Sequence, residues 1–300
     1  MAPFLVVSDP PHGSTDLVRS AECLGVSQAE ARMKAGFRAP EIWQAHAEEE
    51  AATIAADELR EAGLRTAVLN GADLANVPAQ RPALRFSFGE RALSVTLRDG
   101  TQELAYDADT LGVFCKTPPD YESGGGRHRR SLEPHLRPTM GAKLARAAGV
   151  GREASFADTF ERSVFLDLYV TSNGAPTRVT IAQDLADFSG LKQAMRPGAA
   201  ENMAICMKEC ERRFSSFRLD RRLEGVLPRR RLKAGATPFT GRKLLSFGTP
   251  ALGELLESIS PGLGDITQFD LGSRMSYLIA RSGARPDLAV AEREVDVVDR

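Results

Sequence analysis

The chain has 300 residues, 42% hydrophobic and 26% charged, with a formal net charge of −1, which suits a globular protein of two or three domains with real cores. No run approaches the roughly 18 apolar residues of a membrane span, and the start MAPFLVVSDP lacks the basic and long apolar regions of a signal peptide. Cys23, Cys115, Cys206 and Cys210 form neither a disulfide framework nor a zinc pattern, so a reducing, cytoplasmic location is expected.

The charge is unevenly spread. Residues 1–75 carry 12 acidic and 6 basic side chains, whereas 212–243 carry 11 basic and 2 acidic. Either the basic region meets an anionic partner or the two regions dock on one another.

Phe4-Leu5-Val6-Val7 reads as a buried strand, broken by Asp9-Pro10-Pro11-His12-Gly13. Ser14 can cap a helix with Leu17, Val18, Ala21 and Leu24 on its apolar face, ended by Gly25. Ser27 and Glu30 form a capping box for a second helix, which stops at Gly36. Glu41-Ile42-Trp43 is a second strand candidate. Glu48, Glu49 and Glu50 then favour the start of a helix carrying Ile54, Ala55 and Leu59, and Thr66–Leu69 follows as a third strand.

This βααβαβ order resembles the C-terminal domain of the bacterial ribosomal stalk protein, a fold shared with Clp-protease adaptors. Leu59-Arg60-Glu61-Ala62-Gly63 is similar to that family's helix end, and Leu24-Gly25-Val26 through Glu30-Ala31-Arg32 to its helix–helix corner. The corner's two lysines fall here on Ala29 and Arg32. The resemblance implies a docking module over residues 1–75, with Glu30, Arg32, Lys34 and Trp43 as candidate protein-binding residues.

Residues 80–216 read as a β-rich domain. Leu84-Phe86-Phe88 and Leu93-Val95-Leu97 alternate with period two, Gly89-Glu90 and Asp99-Gly100 mark turns, and Leu104-Tyr106 and Leu111-Val113-Cys115 continue an antiparallel meander. Residues 117–158 read as a mobile insertion with a short helix near 142–148. Strands resume at Val164–Val170, turn at Asn173-Gly174 and return through Val179-Ile181, before a helix bearing Met203, Cys206, Met207, Cys210 and Phe214. Strands closed by one amphipathic helix resemble a pleckstrin-homology-like domain.

Residues 217–243 read as a basic linker. Arg221, Arg222, Arg229, Arg230, Arg231 and Lys233 are its candidate polyanion-binding residues, because arginine forks match phosphate and dense cations release counterions. Phe214, Phe217 and Phe239 could stack on bases. A helical segment at 244–284, packed on the β-rich domain, and a mobile tail at 285–300 complete the chain.

Other motifs have plainer readings. Cys206 and Cys210 lie one turn apart beside Met203 and Phe214, as core residues do. Asp9, His12 and Ser14 invite a triad reading without a nucleophile elbow. His128 and His135 lack ligand partners, and Gly124-Gly125-Gly126 lacks the lysine and helix of a phosphate loop. Asp184 and Asp187 read as solvated. Asp187-Phe188-Ser189-Gly190 resembles the Asp-x-Ser-x-x-Gly of PilZ-type cyclic-dinucleotide receptors, with Lys192 in place of the glycine, and an ordinary turn explains it as well.

The expectation is therefore an α+β protein: a βααβαβ module, an antiparallel β-rich domain and C-terminal helices. Its expected role is a non-enzymatic adaptor holding a protein partner, with no cofactor or metal. Nucleic-acid or polyanion binding through 218–243, and an enzyme of unrecognised type, are the alternatives.

Overall fold

The computed structural model describes residues 2–116, 164–172, 175–226, 250–261, 263 and 266–282. The expected insertion at 117–158 with its helix, the Asn173-Gly174 turn, Arg229–Lys233 and the tail at 285–300 lie outside these residues. The class is α+β.

The first elements are β1 (Phe4–Ser8), α1 (Leu17–Leu24), α2 (Gln28–Ala35), β2 (Ile42–His46), α3 (Glu49–Glu61) and β3 (Thr66–Asn70). Asp16, not Ser14, caps α1, its carboxylate accepting from Val18 N at 3.0 Å and Arg19 N at 3.1 Å. The capping box of α2 forms as the sequence suggests. All pairings are antiparallel in the order β2-β1-β3, so β2 is an edge strand. The register shifts between Val6 and Val7, which face Gln44 and Ile42, and this leaves Trp43 as an extra, bulged residue. A further helix, α4 (Gly71–Asn76), follows β3, with Asn70 Oδ1 accepting from Ala72 N at 2.8 Å.

The β-rich region is two sheets, not one meander. β4 (Arg85–Phe88), β5 (Ala92–Leu97) and β6 (Gly100–Ala105) form an antiparallel sheet. β7 (Asp109–Lys116), β8 (Phe165–Ser172) and β9 (Ala175–Ala182) form a second, and a 3-10 helix (Phe188–Ala194) and α5 (Ala199–Arg213) return the chain to it. The strand that then joins is β10 (Ser216–Glu224), parallel to β7. The expected linker at 217–243 is therefore a strand over its first part. Leu223 is fully buried there, and a register shift between Asp220 and Leu223 interrupts the alternation that would have revealed it.

The C-terminal helices are α6 (Pro250–Ile259) and α7 (Gln268–Arg281). They pack on more than the β-rich region. One core joins Leu5, Val7, Ile42 and Leu69 of the first sheet to Leu252 and Leu256 of α6, Met275 of α7, and Val113, Phe165 and Tyr169 of the second sheet. The other face of the first sheet, with Val6 and Trp43, packs on Leu24, Ala52, Ala56 and Leu59 of α1 and α3. Beyond the second sheet, Leu166, Leu168, Val179 and Ile181 meet Phe86, Leu93 and Val95 and α5 residues Met203, Cys206 and Cys210.

The central core contains a polar seam. Asp167 accepts from Arg178 Nη2 at 2.5 Å, Thr180 Oγ1 at 2.5 Å and Ser273 Oγ at 2.6 Å. Arg178 also pairs with Asp270, which Arg274 Nε reaches at 3.2 Å. Burial opposes ionisation of Asp270, but Arg178 and Arg274 outweigh it and hold its carboxyl below the usual range. The seam bolts α7 to β8 and β9.

Candidate functional site

A groove of about 670 Å³ runs along the open edge of β2. Trp43, Gln44, Ala45 and His46 all line it. Successive strand residues point to opposite faces, so four in a row can border one groove only if it follows the strand's edge. Two helices on opposite faces of the sheet form its long walls, and Cys23 and Leu24 at the end of α1 also border it. One long wall is α3, with Ala51, Ile54, Ala55 and Glu58, and the other is α6, with Ala251, Glu254, Leu255 and Ser258.

Each wall combines apolar surface with one exposed carboxylate, Glu58 or Glu254. Ile54 is 55% exposed, a large aliphatic side chain at the mouth. Among the described residues neither carboxylate has an ion-pair partner, and no Lys or Arg lines the groove. Among the described residues no backbone ladder covers β2's outer side.

The other polar groups serve local structure. Gln44 Nε2 donates to Cys23 O at 3.0 Å, His46 Nε2 lies 3.2 Å from Gln44 Oε1, and Ser258 Oγ donates to Leu255 O at 2.7 Å. Burial and the neighbouring Glu58 push the Cys23 thiol up, away from the thiolate a nucleophile needs.

Of the residues proposed from sequence for protein binding, Glu30 and Arg32 lie on α2. Glu30 serves the capping box, with Ser27 N 2.9 Å from Oε2, and hydrogen bonds from Ser27 hold its carboxyl below the usual range. Arg32 is exposed. Lys34 and Trp43 are not surface groups: Glu41, 4% exposed, accepts from Lys34 Nζ at 3.4 Å and from Trp43 Nε1 at 3.3 Å. The two residues, separate docking candidates in sequence, are joined here in an internal tie, with Trp43 backing the groove.

The polyanion candidates divide as well. Arg222 is enclosed between Asp220 and Asp9, its Nη1 donating to Asp9 Oδ1 at 2.6 Å, so it joins β10 to the first module. Arg221 pairs with Glu224 at 2.7 Å on the surface. Arg229, Arg230, Arg231 and Lys233 lie outside the described residues.

The Asp9–His12–Ser14 triad is not assembled. Such a triad needs His Nδ1–H to donate to a carboxylate. Here His12 Nδ1 accepts from Arg65 N at 3.1 Å, while Asp9 receives Arg65 and Arg222. Burial lowers the His12 pKa to about 4, with Asp9 partly opposing and Arg65 assisting. A lowered histidine pKa means the unfolded chain binds a proton first, near 6.5. This group's contribution is complete above pH 6.5 and is lost as the pH falls towards 4, about 1–2 kcal/mol after solvent screening. His12 lies 5.5 Å from Trp43, the sole tryptophan. Protonation should therefore quench Trp43 fluorescence with a midpoint near 4, and His12→Gln should abolish that step. An unchanged titration in His12→Gln would assign the quenching elsewhere.

Elsewhere, Asp187 caps the 3-10 helix through Ser189 N at 2.9 Å and pairs with Arg85 at 3.0 Å. Lys192, at the glycine position of the Asp-x-Ser-x-x-Gly pattern, has φ +52°, a conformation that favours glycine. Cys206 and Cys210 are buried core residues. Among the described residues no three His, Cys, Asp or Glu side chains converge as a metal site, and no helix is long and apolar enough to cross a membrane.

Sequence reasoning found β2 and α3 but not the groove, because its second wall, α6, comes from about 200 residues further along the chain. The apolar face of α6 was readable; its seat against β2 was not. No protein-family model, curated protein or solved structure matches this chain.

Proposed function

We propose that the chain is a non-enzymatic cytoplasmic adaptor that holds a protein partner through its N-terminal βααβαβ module. The observation that carries this reading is the groove beside β2, an open strand edge between two helices with apolar and acidic walls. Unpaired strand edges are templates for another chain, and proteins that do not use them normally cover them. The element order shared with stalk-type and Clp-adaptor domains, which hold other proteins, points the same way, although fold by itself does not fix function.

The test is site-specific photo-crosslinking of the full chain in extract of its own cells, with the crosslinker at Ile54 in the groove mouth and, as control, at Met195. Both side chains are exposed, at 55% and 47%. A discrete protein adduct at Ile54 that is missing at Met195 is expected. Equal labelling at both positions, or a turnover activity abolished by a single substitution, would overturn the adaptor reading.

A further inference from the structure

The open edge of β2 and the charge of its walls define what the groove can accept. We infer that the groove takes a short, extended, basic segment of a partner protein, which adds to β2 as a fourth strand between α3 and α6. This rests on the adaptor reading and names the chemistry of the partner.

Two features lead to it. The first is backbone. β2 pairs with β1 on one side only, and residues 43–46 border the groove along the other. An entering strand at the usual spacing of about 4.8 Å would continue the ladder and occupy the slot lengthwise. A helix, about 10 Å across with its own backbone groups satisfied, would gain nothing from this edge.

The second feature is charge. Side chains of an added strand alternate between the α3 wall and the α6 wall. Each wall offers one exposed carboxylate, Glu58 or Glu254, beside apolar contacts at Ile54 and Ala55 or Ala251 and Leu255. Neighbouring lysine and arginine residues on the incoming strand would therefore reach opposite walls and meet one carboxylate each. The first 75 residues as a whole are acidic, with 12 acidic side chains against 6 basic, so the wider field also favours a cationic segment. An acidic segment would meet two unpaired carboxylates and be rejected.

The experiment uses the full chain and a random dodecapeptide library displayed on phage, selected on the parent chain alone, with the Glu58→Lys/Glu254→Lys chain kept for the binding comparison. Both positions are exposed, so the variant should fold, which circular dichroism checks. Recovered peptides should carry adjacent basic residues in a β-prone, proline-free stretch. Synthetic versions should bind the double variant at least tenfold more weakly. N-methylation of alternate backbone nitrogens should remove binding in one of the two phases and spare it in the other, as strand pairing requires. Peptides without basic residues, equal binding to the double variant, indifference to N-methylation in both phases, or no recovery above background would each overturn the inference. So would a dimer of the chain dispersed by the double substitution, since the edge would then serve a second copy. If the Ile54 crosslinked partner persists in the double variant while the peptide result is negative, the adaptor reading stands and the basic-strand inference alone falls.

Discussion

Asp167→Ala is expected to lower the stability of the chain by about 3–5 kcal/mol, measured by urea denaturation. Asp167 is fully buried and accepts from Arg178, Thr180 and Ser273. Its loss leaves Arg178, itself fully buried, with Asp270 as its remaining ionic partner. Arg178 Nε already has no hydrogen-bond partner among the described residues, so the site cannot readily absorb a second loss. Asp167→Asn keeps the shape and can still accept from one hydroxyl, so it should cost less than alanine. Asp167→Leu with Arg178→Met removes both charges and should recover part of the loss, since burying an ion pair gains little over an apolar pair. Asp99→Ala removes an exposed pair with Arg81 and should leave stability unchanged. A loss at Asp167→Ala no larger than at Asp99→Ala would mean that water reaches the seam. Because the seam fixes α7, and α7 shares a core with α6, the groove's second wall depends on it.

The parts of the fold readable in the sequence carry their own local instructions. Ser27 and Glu30 announce α2 by themselves, Gly25 ends α1 at φ +65°, and Gly63 closes α3 at φ +84°. β5 is readable because its inward residues alternate without interruption. β10 was hidden for two physical reasons. Arg218, Arg221 and Arg222 look like a solvated charge run, and the register shift breaks the alternation. The balancing acids are local only in part: Glu224 pairs with Arg221 and Asp220 with Arg222, whereas Arg218 meets Asp109 and Arg222 also meets Asp9, 213 residues away. Pairings over such distances leave no local pattern. The same limit explains the candidate site. Lys34 and Trp43 look available in sequence because nothing nearby shows that Glu41 draws both inward. Among the described residues the basic and acidic regions meet through the enclosed Arg222–Asp9 pair, with the arginine in a strand and not in a linker.

Gly190→Ala should produce the other large loss, about 2–4 kcal/mol. A Cβ at this position would stand 1.8 Å from Phe86 O, 2.8 Å from Phe86 C and 3.0 Å from Ser87 Cα. These are backbone atoms of β4, so no rotamer change relieves the overlap. The 3-10 helix must lift from the strand. That movement threatens the hydrogen bond from Asp187 N to Leu84 O at 2.9 Å, the Arg85–Asp187 pair and the edge contact between Phe86 and Phe188 at 5.5 Å. Gly253→Ala is the natural control, because the same chemical change should act with the opposite sign. Gly253 lies inside α6 and, apart from its own helix backbone, no atom of the described residues comes within 4 Å of the added carbon, so alanine there should stabilise by about 0.5–1 kcal/mol through helix propensity. Opposite shifts in the urea midpoint are the expected result. A midpoint for Gly190→Ala equal to that of the parent chain would mean that the 3-10 helix does not rest on β4. If both substitutions stabilised, chain entropy would outweigh contact at both sites, and the close approach at Gly190 would not exist in solution.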